Sequence, residues 1–119
     1  MNIFTKVLAT VVSLEFFYIM YLETLATQSD KTSKVFGMSK EELNRKSVNV
    51  LFKNQGVYNG LLAILILIAT FAFHSVLAVE WLMIYIIAVA IYGSFTSNPR
   101  IVLLQGGLPI VTLITCFIK

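Results

Sequence analysis

The sequence predicts an all-α fold: an integral membrane four-helix bundle with a charged cytoplasmic loop or short helix between its first two spans. Three observations predict it: the composition, four long apolar stretches, and a single long polar segment. Hydrophobic residues make up 58% of the 119 residues and charged residues 13%, about half the charged fraction usual in soluble domains. With a mean hydropathy of +0.85, so small a domain could not bury its apolar surface in water.

The four apolar stretches are each close to the ~20 residues that cross a ~30 Å hydrocarbon core. They cover about residues 3–26, 50–73, 79–95 and 101–118. The last two are short, which predicts little tilt. The whole chain, residues 1–119, is therefore expected to form one four-span membrane domain.

The first apolar stretch could instead be a cleaved signal peptide. Lys6 would be its only basic residue, and no small-x-small cleavage site follows the apolar run. The run is also long for a signal peptide and contains Glu15 and Glu23. We therefore expect a retained helix.

The polar segment at 27–49 carries five of the nine basic residues. Within it, Ser39 followed by Glu42 matches a helix capping box and predicts a short surface helix that could continue into the second span. The Asn98-Pro99 pair predicts the turn before the fourth span, because proline disfavours helix at the preceding residue.

The basic residues predict the orientation. Seven Lys or Arg lie in the 27–49 loop, at Lys53 and at Arg100, against two, Lys6 and Lys119, on the other side. The positive-inside rule then places the loop in the cytoplasm and both termini outside a plasma membrane.

Composition also excludes several classes of function. One cysteine, Cys116, and one histidine, His74, cannot form a Cys/His metal cluster, so no metal or cofactor is expected. The chain has no glycine-rich nucleotide-binding loop. Its net charge of +3 is small and most of its basic residues lie in one loop, which suits a membrane surface better than nucleic acid.

Two acidic residues lie within the first apolar stretch, where a carboxylate is costly unless it is neutral, paired or hydrated. Glu15 is near the middle of the stretch and Glu23 is eight residues further on. Eight residues advance a helix ~12 Å and rotate it ~80° beyond two turns, so both can face one interior. Glu23 alternatively lies at the cytoplasmic interface.

A second polar cluster, NQGVYNG at 54–60, opens the second span. Gly56 and Gly60 form a GxxxG pair that permits close approach of another helix. The cluster is either helix-packing contact or a polar site facing Glu23, and these interpretations are compatible. Its polar side chains form two adjacent stripes, Asn54 with Tyr58 and Gln55 with Asn59.

The later spans contribute further polar residues. Tyr92 and Gln105 are expected to converge on the level of Glu23, and Gly93 is expected to serve helix packing. The predicted ligand-binding residues are Glu15, Glu23, Asn54, Gln55, Tyr58, Asn59, Tyr92, Thr96 and Gln105.

Together these segments resemble the DUF1304 family of small bacterial membrane proteins of unknown function. The likeness covers nearly the whole chain, and NQGVYNG is its most specific string. The resemblance implies four spans and no established activity. It rests on LEFFYIMYLET at 14–24, KVFG at 34–37, NQGVYNG at 54–60, IYGSFT at 91–96 and the segment 105–109.

The chain departs from the family pattern at two positions. Phe16 replaces a histidine that often follows the first glutamate, and Thr27 replaces a tryptophan four residues after the second. Proton transfer by that histidine is therefore not expected, which favours a binding role. The matching positions are Glu15, Glu23, Phe36, Asn54, Gln55, Gly56, Tyr58, Asn59, Gly60, Tyr92, Gly93, Thr96 and Gln105.

Four functions remain open. The favoured one is a binding or transport protein whose polar pocket takes a small molecule or a lipid head group. The others are a structural or assembly protein, a proton-coupled exporter of the small multidrug resistance type using Glu15, and an isomerase acting on a lipid-like substrate. The expected partners are membrane lipids, a small-molecule ligand and a second copy in a homodimer. Enzymatic activity is not the favoured interpretation.

Overall fold

The computed structural model describes residues 1–97 and 105–118, and these residues form helices and connections with no β-strand. The all-α prediction is thereby confirmed for the described residues. The helices are α1 (Ile3–Thr24), α2 (Asp30–Phe36), α3 (Lys40–Asn44), α4 (Lys46–Leu67) with a π-helical turn at Ile68–Ala72, α5 (Val76–Thr96) and α6 (Gly107–Cys116).

Among the described residues, three helical segments are long and apolar enough to cross a membrane. They are Ile3–Thr24, Lys46–Ala72 and Val76–Thr96, of 22, 27 and 21 residues. The fourth predicted span contains α6, which is apolar but has only 10 residues. Residues 101–104 of that span and the Asn98-Pro99 turn lie outside the described residues, so the fourth span stays a prediction.

The helix ends differ from the predicted spans, most clearly at α4, which begins at Lys46 instead of residue 50. Hydropathy locates apolar residues, whereas a helix also includes the polar turn that precedes them. The start of α5 moves from residue 79 to Val76 for a local reason: the Ser75 side chain accepts a hydrogen bond from the Ala78 N–H at 3.1 Å.

The chain divides into two compact units, Leu14–Ile64 in one and Met1–Ser13 with Leu65–Lys119 in the other. The first holds the polar segment and most of the predicted site residues. The second holds α5 and α6, which pack against each other.

The polar segment contains two short helices. The capping prediction at Ser39 is correct, since its side chain accepts from the Glu42 N–H at 3.1 Å and α3 follows. The helix does not continue into α4, because Arg45 has an extended backbone with ψ 132.

The helix α2 was not predicted, although its signals are local. Ser29 caps its first turn by accepting from the Thr32 N–H at 3.2 Å. Gly37 ends it with φ 65, a left-handed conformation in which glycine has no Cβ penalty. A serine before Asp30 and a glycine after Phe36 were therefore sufficient to predict this helix.

Two contacts hold the short helices in the Leu14–Ile64 unit. The Phe36 ring meets the Phe52 ring of α4 edge to face, with centroids 5.1 Å apart. Lys40 forms an exposed ion pair with Asp30 at 2.9 Å, and its ammonium lowers the pKa of that carboxyl. Leu43 of α3 is fully buried, so the polar segment is anchored by apolar contacts.

In the other unit, Asn2 joins the start of α1 to the end of α6. Its side-chain oxygen caps α1 by accepting from the Thr5 N–H at 2.8 Å. Its amide nitrogen donates to the carbonyl oxygens of Thr115 and Ile118, at 2.7 and 2.9 Å. The Thr5 and Thr115 hydroxyls are 3.0 Å apart and buried. One side chain therefore satisfies orphan groups at two helix ends.

Replacing Asn2 with alanine should destabilise the protein by about 1–2 kcal/mol, because it removes a helix cap and two carbonyl contacts. Thermal unfolding in detergent, followed by circular dichroism, measures the change. Gln28→Ala, at an exposed position, is the control and should leave the midpoint unchanged. Equal midpoints for Asn2→Ala and the natural chain would contradict this role.

Candidate functional site

The candidate site is built around Glu23, near the end of α1. This side chain is only 2% exposed, although it is acidic and lies on an apolar helix. The amide nitrogen of Asn59, on α4, donates to Glu23 Oε1 at 2.6 Å. The structure thus pairs the second acidic residue with one amide of the NQGVYNG cluster, both within the Leu14–Ile64 unit.

Two glycines let α1 and α4 approach closely at this point. A Cβ on Gly56 would lie 3.1 Å from Glu23 Cβ and 3.3 Å from the Met20 carbonyl oxygen, and would overlap the Thr24 methyl group. A Cβ on Gly60 would overlap the Met20 sulfur. Because neither position carries a side chain, the Asn59 amide can reach the Glu23 carboxyl.

A cationic side chain of α4 contacts the turn that follows α1. Lys53 Nζ donates to Asn49 Oδ1 at 2.8 Å and to Thr27 Oγ1 at 3.3 Å. The buried Thr27 hydroxyl in turn donates to the Glu23 carbonyl oxygen at 2.7 Å. The chain from Lys53 through Thr27 therefore ties α4 to the turn that follows α1.

The Glu23 carboxyl can accept more hydrogen bonds than the one that Asn59 donates. An ionised carboxylate offers about four lone-pair sites, and the Asn59 amide occupies one of them. Burial of a charge is costly unless it is paired and hydrogen-bonded. The Asn59 amide is one such hydrogen-bond partner, and a carboxylate has lone pairs for more than one donor.

The other predicted residues of α1 and α4 lie differently. Asn54, Gln55 and Tyr58 are exposed, and Tyr58 is 76% exposed. Glu15 is half-buried in the middle of α1. Of the cluster's polar side chains, Asn59 is the one that bonds to Glu23.

The remaining predicted residues belong to the second unit. Tyr92 and Thr96 are exposed near the end of α5, where the Thr96 hydroxyl donates to the Tyr92 carbonyl oxygen at 3.1 Å. Gln105 is half-buried. Their convergence on the level of Glu23 stays a prediction, as does packing at Gly93.

Sequence reasoning did not assign Lys53, Thr27 and Asn49 to this site. Asn49 and Lys53 are four residues apart on α4, so they share a helix face and their spacing carried a signal. Thr27 lies in the turn after α1, where helical spacing predicts no partner. The contact between Lys53 and Thr27 depends on how α4 packs against the end of α1, so spacing along the sequence could not predict it.

These features define a class: a small helical protein with three membrane-length apolar helices and a buried acid–amide pair at a glycine-lined helix contact. The family described as "Protein of unknown function (DUF1304)" matches residues 10–117, and the chain belongs to this family. It is 58% identical over 118 residues to "Uncharacterized protein YpaA" of Lactococcus lactis subsp. lactis (strain IL1403), covering 98% of this chain and 99% of that protein. No solved structure matches the chain.

Alanine substitutions at Gly56 and Gly60 should lower the stability of the protein by different amounts. Gly56→Ala should destabilise the protein by about 1–3 kcal/mol, because the new methyl group meets a backbone oxygen and a Cβ. Gly60→Ala should cost less, since the flexible end of Met20 can move. Unfolding in detergent measures both.

Gly107→Ala is the matched control, because a Cβ there has nothing within 4 Å. It should leave stability unchanged or raise it slightly through helix propensity. A Gly56→Ala protein as stable as Gly107→Ala would refute the close contact between α1 and α4.

Proposed function

We propose that the chain is a four-span plasma-membrane protein whose Glu23–Asn59 pair is the centre of a binding site for a small molecule or lipid head group. The observation that carries the proposal is the buried Glu23 carboxyl, bonded to the Asn59 amide at 2.6 Å. The proposed role is binding, and a protein that binds the molecule in this way could also transport it.

Insertion in a membrane is supported by the length of the helices and by what they expose. Three helical segments have 21 residues or more, enough to cross a ~30 Å core. Large apolar side chains on them are exposed, including Leu14, Leu61, Leu65 and Ile84. Such surface suits lipid and not water.

The position of the pair along α4 supports a ligand from the head-group region. From Lys53 to Ala72 the helical segment has about 20 residues and so a length of ~30 Å, which matches the hydrocarbon core. Lys53 then lies at the interface, and Asn59 lies ~9 Å further in. A polar group that enters from the interface would reach Glu23 within ~9 Å.

The ligand chemistry follows from the carboxyl. A ligand that donates hydrogen bonds, above all an ammonium group, would offset the cost of burying the charge. The Asn59 amide would keep the carboxyl oriented towards it. Anionic ligands are disfavoured at this site.

An assembly role is the second candidate, and a different observation favours it. Asn54, Gln55 and Tyr58 are exposed on one face of α4. Polar side chains on a lipid-facing surface gain hydrogen-bond partners when helices associate. A homodimer through this face would supply them.

Cysteine labelling tests the four-span topology. In a Cys116→Ser background, Ile3→Cys and Ile118→Cys should react with a membrane-impermeant maleimide in intact cells, whereas Lys31→Cys should react only after permeabilisation. Both termini would then be outside and the loop inside. Labelling of the two terminal positions from opposite sides would show an odd number of spans and overturn the four-span proposal.

Native mass spectrometry after gentle extraction tests the binding site. The natural chain should carry a bound mass that Glu23→Gln and Asn59→Ala reduce at least tenfold, because each removes one partner of the buried pair. Glu41→Gln, at an exposed position on α3, is the control and should keep the bound mass. Glu15→Gln should also keep it, and a loss confined to that variant would favour the exporter hypothesis.

The same lipid ladder on all variants would contradict the binding proposal. The buried pair would then serve helix packing, and the assembly role would be favoured. Cross-linking in the membrane tests the assembly role. The natural chain should give a cross-linked dimer, and the Tyr58→Leu variant should give less of it.

A further inference from the structure

A groove separate from the Glu23 site lies where α3 ends and α4 begins. It is lined by Arg45, Lys46, Ser47, Val50 and Leu51, and it is open on its outer side. The extended backbone of Arg45 lies between the two helices at this point. All five residues belong to the Leu14–Ile64 unit.

The groove is shallow and its lining is mostly apolar, with cationic side chains at its margin. Arg45 and Lys46 are exposed and cationic, and Ser47 adds an exposed hydroxyl. Val50 and Leu51 are 48% and 65% exposed. They follow Lys46 and Ser47 by one helical turn, so an apolar floor continues directly from a cationic rim.

The cationic rim keeps its capacity to bind an anion. Arg45 forms one ion pair, with Glu42 at 3.3 Å, and both side chains are exposed. Such surface pairs are weak, and a guanidinium has five N–H donors. The Lys46 ammonium adds three more donors.

We propose that this groove binds the head group of an anionic phospholipid. The phosphate would accept from Arg45, Lys46 and the Ser47 hydroxyl, while the glycerol backbone would lie against Val50 and Leu51. The inference rests on the membrane insertion proposed above and is independent of the Glu23 site.

Depth along α4 agrees with this occupant. Lys46 precedes Lys53 by seven residues, ~10 Å along the helix. If Lys53 marks the edge of the hydrocarbon core, Leu51 and Val50 lie ~3 and ~5 Å outside it, within a head-group layer ~5–8 Å thick. Lys46 lies just beyond that layer, from where its long side chain can reach back to a phosphate. The cytoplasmic leaflet, which the predicted topology gives to this loop, is the one that carries anionic lipids.

Two double variants that remove equal charge provide the test. Arg45→Gln/Lys46→Gln removes the rim of the groove, and Lys31→Gln/Lys34→Gln removes two exposed lysines of α2. Each purified protein is placed in detergent with equal phosphatidylglycerol and phosphatidylcholine, and bound lipid is counted by native mass spectrometry. Circular dichroism checks that helix content is unchanged.

The natural chain and the α2 variant should bind one phosphatidylglycerol in preference to phosphatidylcholine. The groove variant should bind it about 30-fold more weakly, as expected for the loss of two cationic contacts. Leu51→Ser, which keeps both charges, should also weaken binding through the apolar floor. Glu23→Gln should leave this binding unchanged, which separates the groove from the proposed site.

Three results would overturn the proposal. Equal loss in both double variants would indicate general attraction to basic residues, and equal binding of the two lipids would indicate no anion site. Displacement of the lipid by millimolar inorganic phosphate would show that a free anion is the ligand. If the protein instead fails to enter membranes at all, fractionation of cells reveals it before lipid is added, and the membrane proposal fails separately.

Discussion

The contact of Gly56 with α1 is the constraint on which the Leu14–Ile64 unit depends. Helices can approach this closely only where a side chain is missing, because a Cβ at Gly56 would meet the Met20 carbonyl oxygen and the Glu23 Cβ. The approach brings the Asn59 amide to the Glu23 carboxyl at 2.6 Å. A wider helix separation would leave a buried acidic group without this donor, which is costly in an apolar environment. The packing and the polar site are thus one feature.

Other buried polar groups on the apolar helices also need hydrogen-bond partners. Hydroxyl groups on these helices donate to carbonyl oxygens one turn earlier in the chain, which satisfies them without a second helix. Among the described residues, every buried side-chain nitrogen or oxygen has a partner. Glu23 differs because an acidic side chain cannot be satisfied in this way, so its partner must come from another helix. The self-satisfied pairs are Thr10 with Lys6, Thr24 with Met20, Thr27 with Glu23, Thr70 with Ile66 and Thr112 with Leu108.

The two proposed sites, at the Glu23–Asn59 pair and at the groove, would have opposite preferences. The Glu23 carboxyl suits a donor such as an ammonium group, whereas Arg45 and Lys46 suit a phosphate. They lie at different distances along the helix, with Lys53 between them in sequence. In the proposed membrane orientation the groove would hold a lipid at the surface, and the acidic site would receive a different group deeper in the bilayer. The two proposals can therefore fail independently.

The sequence by itself determined the helical class, the three membrane-length helices and the cap at Ser39, because composition and side-chain periodicity act locally. It also carried the signals of α2, a capping serine and a terminal glycine, which were overlooked. Tertiary structure decided which polar residues meet: Asn59 contacts Glu23, whereas Asn54, Gln55 and Tyr58 are exposed. The sequence places the amides of Asn54, Gln55 and Asn59 within two turns of one helix. Which of them faces Glu23 depends on the rotation of α4 against α1. The Lys53–Thr27 contact and the Asn2 bridge to α6 likewise join residues far apart in the chain, and no local rule specifies such pairs.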